Sequence, residues 1–247
     1  VADSQCLDPI SEITGGRRYS FNNDGGECCL FVNNYARKGR HDFVFGALVQ
    51  GPNAFVHGTA DTVYADSGPH HRWSVGGLFD DITINGNLTI NSGAKFNPDI
   101  FSLTLNGNLT NNGTFNPGTS TLNLNGTNKT VTGNTTLNNL SVVTGSYTVT
   151  SGTISIAGDL YVESTGSLDF GNNTTTLDGD LTNKGTLTSN GTATFTGNRV
   201  QTLQLLNSIT SASTGIVNFN GTVSPIINSN SSPTFATVNI NNTSGIT

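Results

Sequence analysis

The residues best equipped for chemistry crowd into one short stretch of the chain. Arg40, His41 and Asp42 are consecutive, and Asp66 is followed closely by His70, His71, Arg72 and Trp73. An Arg or His can act as a general base, carboxylates can ligate a hard cation, and a Trp can lie against a sugar ring. Arg40, His41, Asp42, His70, His71, Arg72 and Trp73 are therefore candidate carbohydrate-binding residues. The structural reading of the same residues is simpler. Gly68-Pro69 marks a turn, His70, His71 and Arg72 fall in the loop it opens, Trp73 staples that loop to the core, and Arg40-His41-Asp42 forms a local ion pair. The structural reading is preferred, and no catalytic residue is assigned.

Other reactive constellations are missing. His70 and His71 are adjacent, so in a strand they face opposite ways and cannot share a metal. No Cys/His spacing fits zinc. Gly15-Gly16-Arg17-Arg18 lacks the strand–glycine–helix context of a phosphate loop. No metal and no cofactor is implied. The three cysteines, Cys6, Cys28 and Cys29, are candidates for a disulfide or an intermolecular bond. The vicinal pair is ill placed to bond to itself, and the alternative is that one or two are small buried hydrophobes.

Composition constrains the elements that must carry these residues. The chain has 247 residues, of which only 11% are charged and 34% hydrophobic, with a net charge of −6. That balance excludes a phosphate-binding surface for nucleic acid, and no apolar run is long enough to span a membrane. With no Met and Val at position 1, the chain reads as processed or excerpted. Residues 1–81 hold all His, Cys and Trp and most of the charge, whereas 82–247 are rich in Asn, Thr and Gly. The expected division is a segment 1–81, with an N-terminal cap or extension, and a repeat region 82–247 that can continue the same coil. Leu78-Phe79-Asp80-Asp81-Ile82-Thr83-Ile84 reads as one strand across the boundary.

Repeats decide the fold class. Phe31, Phe55 and Phe79 recur at a spacing of 24 in matching contexts, which predicts a core stack of rings on successive turns of a coil. Gly86-Asn87-Leu88-Thr89 returns as Gly107-Asn108-Leu109-Thr110, and Gly158-Asp159-Leu160 as Gly179-Asp180-Leu181, both at a spacing of 21. Between them, segments such as Leu103-Thr104-Leu105 and Ile154-Ser155-Ile156 alternate apolar and polar, as strands do. Asn-Gly pairs punctuate these strands and are read as left-handed turn positions. The prediction is an all-β, right-handed parallel β-helix with coils of about 21–24 residues. An antiparallel meander or sandwich is the rival, because Asn-Gly also suits hairpins. Stacked Asn side chains are expected to form amide ladders. Asp159 and Asp180 should stack, either facing water or sharing a cation.

Gly39-Arg40-His41-Asp42-Phe43-Val44-Phe45-Gly46, Gly51-Pro52-Asn53-Ala54-Phe55 and Asp66-Ser67-Gly68-Pro69-His70-His71-Arg72-Trp73-Ser74 resemble part of the secreted parallel β-helix proteins of the pectate-lyase-like superfamily. The resemblance covers about residues 17–82. It implies a polysaccharide-lyase activity in which Arg or His is the base and acidic residues hold calcium. The segment is short for such a cleft, and no Asp set recurs at coil spacing. The remainder, for example Gly107-Asn108-Leu109-Thr110-Asn111-Asn112-Gly113-Thr114-Phe115, resembles Asn/Gly/Thr repeats of bacterial surface adhesins. The expected function is an extracellular or cell-surface structural or adhesive rod without catalysis: a stalk, fibre or filament subunit, associating end to end or with a polysaccharide or cell-surface ligand. The alternative is a carbohydrate-binding or lyase-like module using Arg40–Trp73. Ice binding through Thr arrays such as Thr174-Thr175-Thr176 would need a regular Thr-X-Thr face on every coil, and the irregular repeats speak against it.

Overall fold

The structure, a computed structural model, describes residues 1–14, 17–65, 67–69, 77–80, 82–100, 102–196, 199–207, 209–210, 215–230 and 234–246. Every named strand pairing among them is parallel and joins equivalent segments of successive turns, so the chain is a β-solenoid. The hairpin alternative falls with this. A two-residue turn can only return the chain antiparallel, whereas parallel neighbours need a long connection, and here that connection is the rest of each coil.

The chain divides into two compact units, Val1–Ser120 and Thr121–Thr247. In the first, one sheet stacks Gln5–Leu7, Tyr35–Arg37, Thr59–Asp61, Ile82–Ile84 and Ser102–Leu105. A second stacks Leu30–Val32, Asn53–Val56 and Gly77–Asp80, and a third stacks Tyr19–Asn23, His41–Phe45 and Gly68–Pro69. The compositional change near residue 81 falls inside this unit. The run 78–84 is not one strand. Gly77–Asp80 pairs with Asn53–Val56, while Ile82–Ile84 pairs with Thr59–Asp61, so the two flanks belong to different sheets. Alternation of apolar residues cannot reveal such a change of sheet, because both flanks keep the same pattern. The N-terminal segment forms a rung of its own: Val32 donates its N–H to the Val1 carbonyl at 2.9 Å, and Gln5–Leu7 pairs with Tyr35–Arg37.

The Phe period is real. Phe31 lies in register with Phe55, and Phe55 with Phe79. The Phe31 and Phe55 rings are 4.6 Å apart, and Phe55 also meets Phe45 at 4.8 Å and Phe43 at 5.5 Å. The side chain of Phe79 lies outside the described residues. Part of the interior of this unit is thus an aromatic cluster centred on the fully buried Phe55, and from Ile84 to Leu109 it is mainly aliphatic.

In the second unit the core is mainly aliphatic, with Tyr147, Phe170, Phe195 and Phe219 buried among Leu, Ile and Val. Three sheets run in parallel. The first stacks Thr121–Leu124, Asn139–Val142, Leu160–Val162, Leu181–Asn183, Thr202–Leu205 and Ile226–Ser229. The second begins at Lys129–Thr132 and Gly145–Ser151. The third stacks Thr135–Leu137, Ile154–Ile156, Thr174–Leu177, Thr192–Phe195, Ile216–Phe219 and Thr237–Ile240. Coil lengths scatter more widely than the sequence repeats suggest. The step between stacked partners is 18 from Thr121 to Asn139 and 24 from Leu205 to Ser229. The strands keep their register because the loops absorb the insertions.

The Gly-Asn/Asp-Leu signature has a specific physical cause. A Cβ on Gly107 would sit 1.9 Å from the Gly86 carbonyl oxygen, and one on Gly179 would sit 2.0 Å from that of Gly158. The backbones of successive coils touch there, leaving room for hydrogen only. Of the glycines in the Asn-Gly pairs, only Gly221 has a left-handed φ, at 120°. The pairs therefore mark close approach between coils more than left-handed turns.

Two outcomes follow. Phe55→Ala should cost about 3–5 kcal/mol of unfolding free energy, because it opens a cavity among three rings; equilibrium urea unfolding reads this. Gly179→Ala should cost about 1–3 kcal/mol by forcing two backbones apart, seen as a lowered Tm with unchanged β-sheet circular dichroism at low temperature.

Candidate functional site

Arg40 immediately precedes, and His41 and Asp42 open, the central strand of the third sheet of the first unit, His41–Phe45, which is flanked by Tyr19–Asn23 and Gly68–Pro69. All five residues of that strand are buried. Phe43 faces the aromatic core, stacked on Phe21 at 5.4 Å. By strand alternation His41 shares that face and Asp42 takes the other.

Each of the three residues has a structural partner. The Arg40 guanidinium lies over the Tyr19 ring at 6.0 Å. The His41 ring meets the same tyrosine edge-on at 4.9 Å. Asp42 is fully buried and accepts a hydrogen bond from the Ser20 hydroxyl at 2.5 Å. Burial pushes the Asp42 carboxyl up to about 6, opposed by the Ser20 hydrogen bond, by His41 and by the Gly39 amide. Its other oxygen, Oδ2, has no hydrogen-bond partner among the described residues. His70, His71, Arg72 and Trp73 lie outside the described residues, as does Asp66, so the structure describes only Arg40, His41 and Asp42 of the candidate set. Among the described residues, no group of three or more His, Cys, Asp and Glu is disposed to hold a metal ion.

A second polar cluster lies on the outer face of the first sheet, and sequence reading missed it. Arg37 grips Asp8 through two hydrogen bonds, of 2.6 and 3.2 Å, and Lys38 adds a third contact at 3.3 Å. The Arg37 hydrogen bond holds the Asp8 carboxyl below its usual range. The Tyr35 hydroxyl donates to Asp61 at 2.8 Å, which lowers that carboxyl and raises the phenol. Lys38 is exposed and the other four residues are half-buried, all partnered with each other, as in a solvated ion-pair network. The step that aligns Tyr35 with Thr59 matches the Phe period and was visible in the sequence. Asp8 joins through a longer coil, the one that sets Gln5 beside Tyr35. No repeat signal points to that pairing.

All three cysteines are free thiols: Cys6 and Cys29 half-buried, Cys28 exposed. The stacked aspartates are accommodated by hydrogen bonds. Asp159 accepts the backbone N–H of Asp180 at 2.9 Å and is also met by Arg199 at 3.1 Å, and Asp180 in turn accepts the N–H of Thr202 at 2.8 Å. Asn139 does the same for the N–H of Asp159 at 2.8 Å. Asn and Asp are interchangeable there because only an acceptor oxygen is needed.

In the second unit a cavity of about 30 Å³ lies among Phe170, Leu177, Leu187, Phe195 and Val217, inside the apolar core. It has room for about one water molecule, and none for a sugar. No helix among the described residues is long and apolar enough to cross a membrane. Comparison with protein-family models, with curated proteins and with solved structures returns no match.

The raised Asp42 carboxyl gives a pH prediction. Folding binds a proton to Asp42 between its ordinary carboxylate range and about 6, so ionisation above that range disfavours the folded state. Wild type should lose stability relative to Asp42→Asn as pH rises from 4 to 7.5, by about 3 kcal/mol at most, at ~1.4 kcal/mol per pKa unit. Urea unfolding of both proteins across that range checks it; parallel curves would refute the burial argument.

Proposed function

We propose that this chain is an extracellular structural or adhesive β-solenoid, a segment of a surface stalk, fibre or filament, and not an enzyme. The observation that carries the reading is how the polar side chains are used. In the second unit they ladder from coil to coil: Thr132 with Thr150 at 2.7 Å, Asn239 with Asn218 at 2.8 Å, and Asn241 with Asn220 at 2.9 Å. Asn106 bonds Asn85 in the same way in the first unit. In the first unit the buried His41 and Asp42 are tied to Tyr19 and Ser20 on the preceding rung. Polar groups that bond one coil to the next serve the length of a solenoid and its resistance to unfolding, which is what a stalk requires.

The pectate-lyase-like and adhesin-like resemblances support an exported protein that works at a surface. The second reading, a carbohydrate-binding or lyase-like module, would use Arg40, a half-buried guanidinium 6.0 Å from the Tyr19 ring, as its cationic contact to an acidic sugar.

Electron microscopy of the purified protein, together with an assay for cleavage of acidic polysaccharides, separates the two. Ordered fibres or end-to-end strings with no cleavage are expected. Cleavage that disappears in Arg40→Ala, with the fold intact, would replace the structural reading with the enzymatic one.

A further inference from the structure

The third sheet of the second unit differs from its neighbours on its outer face. Strand pairing sets Ile154 beside Thr175, and Thr174–Leu177 beside Thr192–Phe195. The outward residues of three successive coils are therefore Thr153 and Ser155, Thr174 and Thr176, and Thr192 and Thr194. Thr153 immediately precedes its strand. The pattern extends to Asn134 and Thr136 on one side. On the other it reaches Ile216 and Asn218, then Thr237 and Asn239. Two columns result, holding Thr, Ser or Asn at every position but one, with no charged and no aromatic residue. The sequence hides them, because the coils that carry them differ in length: the step from Ile154 to Thr175 is longer than the step from Thr174 to Thr192.

The neighbouring faces are unlike this one. The first sheet carries Tyr161 outward with Lys184 4.7 Å above its ring, and the Asp159–Arg199 pair lies nearby. The second carries Lys129 and Asp169. Its hydroxyls are also consumed internally, as in the Thr132–Thr150 and Ser146–Asn128 pairs. On the third sheet internal bonding is confined to one end, where Asn218 donates to the Thr194 hydroxyl at 3.3 Å and Asn239 to Asn218 at 2.8 Å; the hydroxyls of Thr136, Ser155, Thr174, Thr176 and Thr192 form no side-chain hydrogen bond within the described residues, and all five residues are exposed or half-exposed.

We infer that this face binds ice. Parallel coils repeat about every 4.8 Å, and outward residues along a strand repeat about every 6.7 Å. Over its three central coils the face is thus a two-dimensional grid of hydroxyls, Thr153/Ser155, Thr174/Thr176 and Thr192/Thr194, held by a sheet whose register is fixed by the core. Threonine is stiff at χ1, so the grid is ordered before anything binds. A hydroxyl both donates and accepts, which suits a lattice of water molecules offering both polarities. A charge would hold its own hydration shell and spoil the match, and none is present. A crystalline polysaccharide would be the other regular neutral partner, but the face has no aromatic ring on which a sugar could stack. This inference does not depend on the stalk reading, although Asn218 and Asn239 take part in both.

The test is partition of the full chain into ice grown slowly from dilute solution, for wild type, for a Thr174→Lys/Thr176→Lys double variant, and for Thr182→Lys on the outer face of the first sheet. Circular dichroism verifies that each keeps its β-sheet; Thr136→Lys, at an exposed position on the edge of the grid, replaces the double variant if that fails to fold. Wild type and Thr182→Lys should be enriched in the ice, and the grid variant should be excluded like a protein without ice affinity. The inference is overturned if wild type is excluded from ice, or if the grid variant is enriched as strongly as wild type. Retention on crystalline cellulose or chitin without enrichment in ice also overturns it, and assigns the grid to a polysaccharide.

Discussion

Parallel backbone pairing between successive coils is the constraint from which the rest of the structure follows. Each strand bonds to its equivalent one turn away, so a residue's environment is set by the residues stacked before and after it more than by its neighbours in sequence. Phe31 meets Phe55, Asp180 caps onto Asp159, and Gly107 passes the Gly86 carbonyl. Loops tolerate insertions because they lie outside this pairing. Strand positions do not, since a slip of one residue would turn the core face outward.

The two units solve the same packing problem with different side chains. In the first unit phenylalanine rings fill the interior around Phe21, Phe43, Phe45 and Phe55, whereas from Ile84 onward and through most of the second unit mainly Leu, Ile and Val do so. Buried amide groups of the second unit donate across to the adjacent coil in the same way. Asn183, fully buried at the end of its strand, donates to the Asn207 carbonyl at 3.0 Å, and Gln201 donates to those of Gly179 and Leu177. An amide can bridge coils without the desolvation cost of a charge. That is the physical reason for so few ionisable residues, and it makes the fully buried Asp42 the exception among the described carboxylates.

The fold class was legible from particular residues. Phe31, Phe55 and Phe79 announced the longer coil of the first unit, and the Gly-Asn/Asp-Leu signatures announced a shorter one, because stacking imposes like residues at like positions. The candidate site was legible only as a cluster of reactive types. That His41 and Asp42 open the middle strand of a sheet, with Arg40 just before it, could not be read from them, because burial on both faces depends on what the rest of the coil places over them. The Asp8–Arg37 pair was invisible for a related reason: its coil is longer than the repeat that would have predicted it.

The sequence by itself determined the class of fold, the parallel stacking of coils and the near absence of charge, since these rest on period and composition. The tertiary structure alone decided which residues share a face. Asn-Gly pairs proved to mark contact between coils because only the folded backbone shows how near Gly107 comes to Gly86. The Thr and Ser grid of the third sheet exists because loops of unequal length return each strand to the same register, and spacing along the chain carries no record of that return.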